Sequence, residues 1–546
     1  MIYHQPKVGP TIVRNARIFT CSPQSEDLIS GSIIFENGLI KYVGEEDSDE
    51  LIQARAAGAV GIDAEGRVVT PSFIDSHVHI LHFGLSLGKL DVMKCKSLED
   101  IRAQIKAWAS AHPDKARILC KGWQQSCVAS EALASMLDDL DPRPIYIEAI
   151  DLHSVWCNKA ALDELGVASM ADPDGGTIHR DEMGQPSGLL SESAFLLIAS
   201  QYLFNALSVD EKQAGLHRAL TTFSKAGYTG VIDMAMDEEQ WSALQLYRQK
   251  QQVPLHIGAY WLVPYSTSDE EIQTHLNKAI EMHRKFHPST SPSFCVLGIK
   301  LIADGVVDGC TAALSKPYGA KADPVEPIWP AETLARVVAQ ADAAGLQCAV
   351  HAIGDRAVTQ AIDAFARLER SSRRRHRIEH LELTTAKDAQ RLGELGIIAS
   401  VQPVHSDPAI LRGWPGLIGS HRCKRAFAYR EFFEAGAPMA FGTDVPTAAH
   451  HPLLNLYNAT TRRSAIEPDC LDTTNEHFAV SLSNAIKAAT IGAAYTRYAE
   501  MWTGSIAPGM SADFNVVDME WDPASLLHAK VRQTWYKGQR VFDNEV

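Results

Sequence analysis

Short apolar runs alternate with amphipathic stretches through the middle of the chain. The first run, "VVTPSFIDSHVHI" (68–80), ends in polar residues, and seven further runs follow it. Patterns typical of helices lie between several of them, for example "AETLARVVAQADAAG" (331–345). Eight strands in series with helices between them predict an α/β fold, a TIM-like (β/α)8 barrel. The later runs are "YTGVIDMAM" (228–236), "PLHIGAYWLV" (254–263), "VLGIKLIADG" (296–305), "QCAVHAIGD" (347–355), "HRIEHLEL" (376–383), "GIIASVQPV" (396–404) and "APMAFGTDVP" (437–446).

The two ends of the chain alternate apolar with polar residues, as half-buried strands do. "GSIIFENGLIKYVG" contains Asn37-Gly38, which favours a hairpin turn. "VRQTWYKGQRVFD" near the C-terminus has the same character. We expect residues 1–70 and 500–546 to form one small β-sandwich domain beside a barrel that spans 71–499.

One interval is too long for a single crossover between barrel strands. Residues from about 85 to 205 contain helical patterns of their own and a strand-like segment, "RPIYIEAI" (143–150). We expect an α/β insertion after the first barrel strand, on the face where barrel active sites lie.

Composition and charge exclude several partners. Of the 546 residues, 46% are hydrophobic and 21% charged, and the net charge of -15 argues against nucleic acid. The basic run "RSSRRRHR" (370–377) is expected to be a solvated loop. No run of about 18 apolar residues predicts a membrane span. Ten cysteines without a CxxC motif, after an N-terminus without a signal core, favour a cytoplasmic protein. A homodimer remains a candidate assembly.

Polar residues occur at the ends of the predicted strands. His77 and His79 are two apart, so their side chains face the same side of a strand. The carboxyl ends of barrel strands meet at one rim, where imidazole and carboxylate groups can bind a divalent metal ion. Each residue alone has a structural alternative, such as a turn cap for Asp444. The candidate ligands are His77, His79, Lys300, His351, His380 and Asp444.

Lys300 lies within an apolar strand, where desolvation lowers the pKa of an amine. A neutral amine can take up carbon dioxide, and the resulting carbamate could bridge two metal ions. The alternative is an ion pair with a barrel acid such as Asp304.

The order HxH, Lys, His, His, Asp over strands one, four, five, six and eight resembles the amidohydrolase superfamily. The segments "GWQQ", "KLIADG", "HAIGDRAV" and "RIEHLEL" are similar to its YtcJ-like branch, which includes N-substituted formamide deformylases. The resemblance implies one or two divalent ions, usually Zn²⁺, and hydrolysis of an amide or related C–N bond in a small molecule. "GWQQ" lacks the acid that often follows the Trp in this branch, so no particular substrate is carried over.

We expect metal-activated water to attack a carbonyl while Asp444 takes its proton and returns it to the leaving nitrogen. His77 and His79 would hold one ion, and His351 and His380 a second. A lyase, decarboxylase or isomerase using the same site, and a non-catalytic scaffold, are the alternatives. The candidate substrate contacts, for each of which ordinary packing is the alternative, are Trp123, His153, Asp304 and Gln402.

Overall fold

The computed structural model describes residues 9–22, 26–124, 127–128, 131–149, 153–173, 176–319, 323–369 and 374–544. Residues 370–373 of the basic run, the last residue of "GWQQ" and the first eight residues of the chain lie outside this set. Within the described residues, no helix is both long enough and apolar enough to span a bilayer. The chain divides into two compact units, Met1–Ile80 with Leu220–Val546, and Leu81–Ala219.

Strands are numbered in chain order. They are β1 (Thr11–Ile18), β2 (Ile29–Glu36), β3 (Leu39–Gly44), β4 (Val60–Asp63), β5 (Val68–Pro71), β6 (Phe73–Val78), β7 (Leu90–Asp91), β8 (Ile118–Trp123), β9 (Ile145–Ala149), β10 (Ser154–Cys157), β11 (Gly176–Arg180), β12 (Pro186–Glu192), β13 (Tyr228–Met236), β14 (His256–Leu262), β15 (Phe294–Ile302), β16 (Gln347–Ala352), β17 (Arg377–His380), β18 (Ile398–Val401), β19 (Met439–Phe441), β20 (Phe514–Asp518), β21 (Lys530–Tyr536) and β22 (Gln539–Asp543).

The α-helices vary from one to five turns. They are Asp49–Ala56, Ile80–Ser86, Leu98–Ala111, Lys159–Leu165, Gln201–Asn205, Val209–Ala226, Glu238–Lys250, Asp269–Lys285, Ala331–Ala343, Asp355–Ala366, Ala386–Leu395, Trp414–Ile418, Ser420–Cys423, Tyr429–Glu434, Pro452–Thr461, Leu482–Lys487 and Ala493–Thr496.

The first unit contains the predicted barrel. β6 and β13 to β19 form one sheet in chain order, and all their pairings are parallel. The last strand returns to the first, because the Asp444 amide donates to the His77 carbonyl (2.7 Å) and the His79 amide to the Val445 carbonyl (3.0 Å). The eight-stranded, nearly closed barrel predicted from the apolar runs is therefore confirmed.

Local sequence signals set the boundaries of the barrel helices. Ser268 precedes the helix Asp269–Lys285 and accepts a hydrogen bond from the Glu271 amide, and Thr385 caps Ala386–Leu395 in the same way. Gly396 ends that helix in the left-handed conformation, with β18 following at once.

Both ends of the chain share one further sheet in the first unit. Its order is β22-β21-β20-β5-β1-β2-β3, and β4 pairs with β1. The Asn37-Gly38 hairpin has positive φ at both residues, 52° and 79°, as its turn type requires. The two ends thus pair as the sequence indicates, whereas the second layer of a sandwich stays a prediction.

This terminal sheet is attached to the amino-terminal ends of the barrel strands. The Asn515 amide donates to the carbonyl of Gly227, the residue before β13 (2.9 Å). Asp513 lies 3.0 Å from the ring of His256, the first residue of β14. The carboxyl ends of the strands are therefore at the opposite end of the barrel from this attachment.

The second unit has its own sheet and cores. Its strand order is β11-β12-β10-β9-β8-β7, and the predicted strand "RPIYIEAI" contains β9. Buried residues pack on both faces of this sheet, including Trp123 and Trp156 in one cluster and Tyr146 in another. The predicted insertion (85–205) falls within this unit, and the other predicted domain boundaries stay predictions.

Candidate metal centre

The barrel brings three of the candidate ligands together. His77 lies in β6, His380 ends β17, and Asp444 follows β19. One donor atom from each lies within 4.8 Å of the others, and all three residues are buried. His79 joins them, because its Nε2 is 3.1 Å from Asp444 Oδ1, and His77 Nε2 is 3.4 Å from the same oxygen.

The orientation of the His77 ring is set by Glu379, which the sequence analysis missed. His77 Nδ1 is 2.8 Å from Glu379 Oε2, so Nδ1–H donates a hydrogen bond to the carboxylate. Nε2, on the side of Asp444, then carries no proton and is able to bind a metal ion. Arg377 binds both oxygens of Glu379, and neither side chain is exposed. The guanidinium and His77 hold the pKa of Glu379 well below its usual range despite burial.

Backbone geometry lets consecutive residues serve the same site. His380 has φ of 76°, and Leu381 and Asp444 have φ of 54° and 59°. These left-handed conformations are uncommon for residues with side chains. Strand alternation would send Glu379 and His380 to opposite faces, yet Glu379 contacts the His77 ring and His380 lies 5.0 Å from it, between ring centroids.

Asp75 fastens the last strand to the first. Its Oδ1 accepts hydrogen bonds from the amides of His77 (3.2 Å) and Thr443 (2.9 Å), and its Oδ2 accepts from the Thr443 hydroxyl (2.7 Å). Burial raises the pKa of Asp75 to about 7. This carboxyl group therefore positions His77 and Asp444 through the backbone on either side of them.

Lys300 is buried in β15, with 3% of its surface exposed. Burial lowers its pKa to about 8, although the charges of Glu379 and Asp444 oppose the shift. Among the described residues, no hydrogen bond to its amine is found. An amine with this pKa is partly neutral near neutral pH, the form that can react with carbon dioxide.

His351 lies beside this lysine. Burial, with the nearby Lys300 charge, lowers its pKa to about 3, so the ring is neutral. Its ring centroid is 4.3 Å from that of His380. Its Nε2 faces the Gly305 carbonyl at 3.3 Å and Asp304 Oδ1 at 3.6 Å.

The four predicted substrate contacts are divided between the two units of the structure. Gln402 reaches the ligands, with its amide nitrogen 3.1 Å from His77 Nδ1. Asp304 accepts three backbone hydrogen bonds, from the amides of Ile353, Gly354 and Ala313, and so holds two loops together.

Trp123 and His153 belong to the second unit. Trp123 is 1% exposed and lies in a hydrophobic core, and His153 pairs with Glu192 at 2.8 Å. A substrate role for these four residues stays a prediction.

A second group of metal-ligand residues adjoins the first. His380, Glu382 and His405 each offer a donor atom within 4.8 Å of the others. Glu382 and His405 were not predicted as ligands, although "RIEHLEL" and "VQPVH" place both just after barrel strands. That position, shared with His380 and Asp444, was the signal that could have identified them.

The donor set suits a divalent cation. Imidazole and carboxylate are the usual nitrogen and oxygen ligands of Zn²⁺ and similar ions. Burial lowers the pKa values of His77 and His380, so both rings are neutral and their nitrogens are available. His380 Nδ1 is buried without a hydrogen-bond partner among the described residues, an unusual state that a ligand can relieve.

Comparison with known proteins agrees with the resemblance found in the sequence motifs. The "Amidohydrolase family" sequence model matches residues 60–542. The chain belongs to this family. The match includes every barrel strand and each of the candidate ligands.

Three relatives align with this chain over nearly its whole length. Protein LONG AFTER FAR-RED 3 of Arabidopsis thaliana is 29% identical, with 98% of this chain and 92% of the relative covered. The putative amidohydrolase YtcJ of Bacillus subtilis is 28% identical (94% and 96% covered). The N-substituted formamide deformylase of Arthrobacter pascens is 23% identical (96% and 95% covered). The resemblance drawn from the motifs is confirmed.

A solved structure shares the amidohydrolase fold. An uncharacterized metal-dependent hydrolase from Pyrococcus horikoshii superposes with a TM-score of 0.76 at 22% identity, over 97% of this chain and 100% of the other. At this identity the likeness establishes the fold.

Proposed function

We propose that the protein is a metal-dependent hydrolase that cleaves a C–N bond in a small amide, formamide or cyclic amide. The observation that carries the proposal is the buried convergence of His77, His380 and Asp444 at the carboxyl ends of barrel strands, with His79 beside them. The relative named N-substituted formamide deformylase supports this bond type. Zn²⁺ is the expected ion, since imidazole ligands and an oxygen ligand suit it.

The ion would be held by His77, His79 and Asp444, with His351 and His380 as further ligands. A divalent ion there acts as a Lewis acid toward water and a substrate carbonyl. Glu379 fixes the His77 ring through Nδ1, so that Nε2 is the nitrogen that would bind the ion. This orientation needs no rearrangement when the ion binds.

Asp444 is proposed as the proton carrier. The nearby His77 and His79 hold its pKa well below the usual range despite burial, so it is ionised and able to accept a proton from water. Its second oxygen, Oδ2, points away from His79 toward His405. A proton received by this carboxylate can be returned to the leaving nitrogen, which completes hydrolysis without another acid.

Lys300 is proposed to carry a carbamate. Its neutral amine would add to carbon dioxide and release one proton, giving an anionic group with two oxygens next to the ligands. The low exposure and lowered pKa of Lys300 support this chemistry. An anionic ligand would offset the charge of a divalent cation that neutral imidazoles leave uncompensated.

Metal analysis and product analysis test the proposal together. We expect purified wild-type protein to contain a divalent metal, and His79→Ala to contain less. A panel of N-formyl, N-acyl and cyclic amides assayed in ¹⁸O-labelled water should give a product carboxylate that contains solvent oxygen. Turnover without solvent oxygen would favour a lyase, decarboxylase or isomerase reaction. Metal-free wild-type protein with full activity would refute the metal site.

A further inference from the structure

Glu382 and His405 form a polar pair next to the proposed catalytic ion. His405 Nδ1 is 3.5 Å from Glu382 Oε1. The Glu382 side chain is 8% exposed and that of His405 18%, so the pair is largely withdrawn from water but open to a small ligand. The Glu382–His405 pair has no part in the mechanism proposed above.

Asp444 connects this pair with the first ligand group. Its Oδ1 faces His77 and His79, whereas its Oδ2 lies 3.9 Å from His405 Nε2. The two oxygens of one carboxylate are thus directed to two different sets of imidazoles. The negative charge of Asp444 therefore faces both groups of possible ligands.

Negative charge accumulates around the pair. Asp444 and Asp308 both interact electrostatically with Glu382 and with His405. His380 lies close to both His405 and Glu382. Its ring stacks parallel to that of His405, with the two ring centroids 6.0 Å apart. Three carboxylates beside the imidazoles of His380 and His405 are a favourable setting for a divalent cation.

We propose that His380, Glu382 and His405 bind a second divalent cation, on the Oδ2 side of Asp444. The proposal rests on the proposed function for the neighbouring ion, and it adds a site that was not predicted from the sequence. The sequence placed a second ion on His351 and His380. A neutral imidazole offers one nitrogen to a metal, so in this arrangement His380 binds the second ion. The first ion then keeps His77, His79 and Asp444, with His351 as a further ligand.

Metal counting and location test the second site. Protein stripped by a chelator and dialysed against Co²⁺ should bind two ions per chain, and Glu382→Gln and His405→Gln should each bind one fewer. Anomalous diffraction at the cobalt edge should show a peak within about 2.2 Å of a Glu382 oxygen and an imidazole nitrogen. In Glu382→Gln that peak should be lost while the peak near His79 is kept.

Matched controls separate this site from general effects of substitution. Glu131 and His179 form a similar pair in the second unit, 3.4 Å apart, and Glu131→Gln should leave the cobalt count unchanged. Circular dichroism should show that the Glu382 and His405 variants are folded. If only one of them folds, the cobalt count of that variant is the test. The position of the second ion is read from the wild-type protein and does not depend on either variant.

Two results would overturn the second site. One is a second cobalt peak beside His351 and Lys300 instead of Glu382, and the other is wild-type protein with a single peak near His79. The latter outcome would leave the proposed hydrolase intact, whereas a protein without either peak would remove both proposals.

Discussion

Replacing Glu379 by Gln removes one negative charge from the barrel interior without changing its shape. The carboxylate accepts from Arg377 Nε (2.5 Å) and Nη2 (3.1 Å) and from His77 Nδ1 (2.8 Å), and neither Glu379 nor Arg377 is exposed. The variant leaves the guanidinium buried without a counter-charge, which costs about 3–5 kcal/mol of unfolding free energy. It also weakens the acceptor that orients His77, so metal affinity should fall about 10–100-fold.

Urea unfolding followed by Trp fluorescence, in the presence of a chelator, measures the stability term separately from the metal term. Competition with a chromophoric chelator measures affinity. The pKa of Glu379 is lowered in the folded state, so its contribution is fully present at pH 7. It should decrease as the pH falls below the ordinary glutamate value of 4.5, since the ionised form favours folding.

The matched control is Glu332→Gln. Glu332 accepts hydrogen bonds from the two terminal guanidinium nitrogens of Arg367 at 2.8 and 2.9 Å, but the two side chains are 82% and 52% exposed. Solvent screens such a pair, so stability should be unchanged. If Glu379→Gln costs less than about 1 kcal/mol and binds metal like wild type, the buried pair does not have the role assigned to it.

Three further predictions concern the same centre. Asp444→Asn should retain the fold and reduce kcat about 10²-fold or more, because an amide cannot carry the proton; near-normal turnover at full metal content would assign that step elsewhere. Metal reloading with bicarbonate should become faster as the pH rises through about 8, where the Lys300 amine becomes neutral, and Lys300→Ala should lose this dependence. Gly442→Ala should destabilise the folded protein by about 1–3 kcal/mol and lower its metal content, because the new Cβ would lie 2.6 Å from the His77 amide nitrogen. Gly413 has open space around it, so Gly413→Ala should change neither the melting temperature nor the metal content.

The barrel could be predicted because its strands are short, buried and separated by amphipathic helices. Candidate ligands such as His77 and Asp444 could be found because polar residues at the carboxyl ends of parallel strands converge on one rim. Pairing of the two chain ends followed from their shared alternation, and β5 with β20 shows it directly.

Sequence patterns could not predict contacts that depend on an irregular backbone conformation or on two loops lying close together. Glu379 adjoins His380 in the chain, so alternation places it on the other face, and only the positive φ of His380 brings both to His77. The pair of Glu382 and His405 depends on two loops approaching each other, which has no periodic signal. Asp304 was predicted as a substrate contact because it is polar and follows a strand, and no sequence pattern indicated the three backbone amides that donate to its oxygens.

The sheet shared by the two chain ends has a consequence for synthesis on the ribosome. β5 directly precedes the first barrel strand, and its partner β20 begins only at Phe514. At about 5–20 residues per second, β5 keeps an unpaired edge for on the order of tens of seconds while the rest of the chain is made. Such an edge can pair with another nascent chain. A ribosome that stalls before Phe514 would therefore release a product prone to aggregate, even with every barrel strand complete.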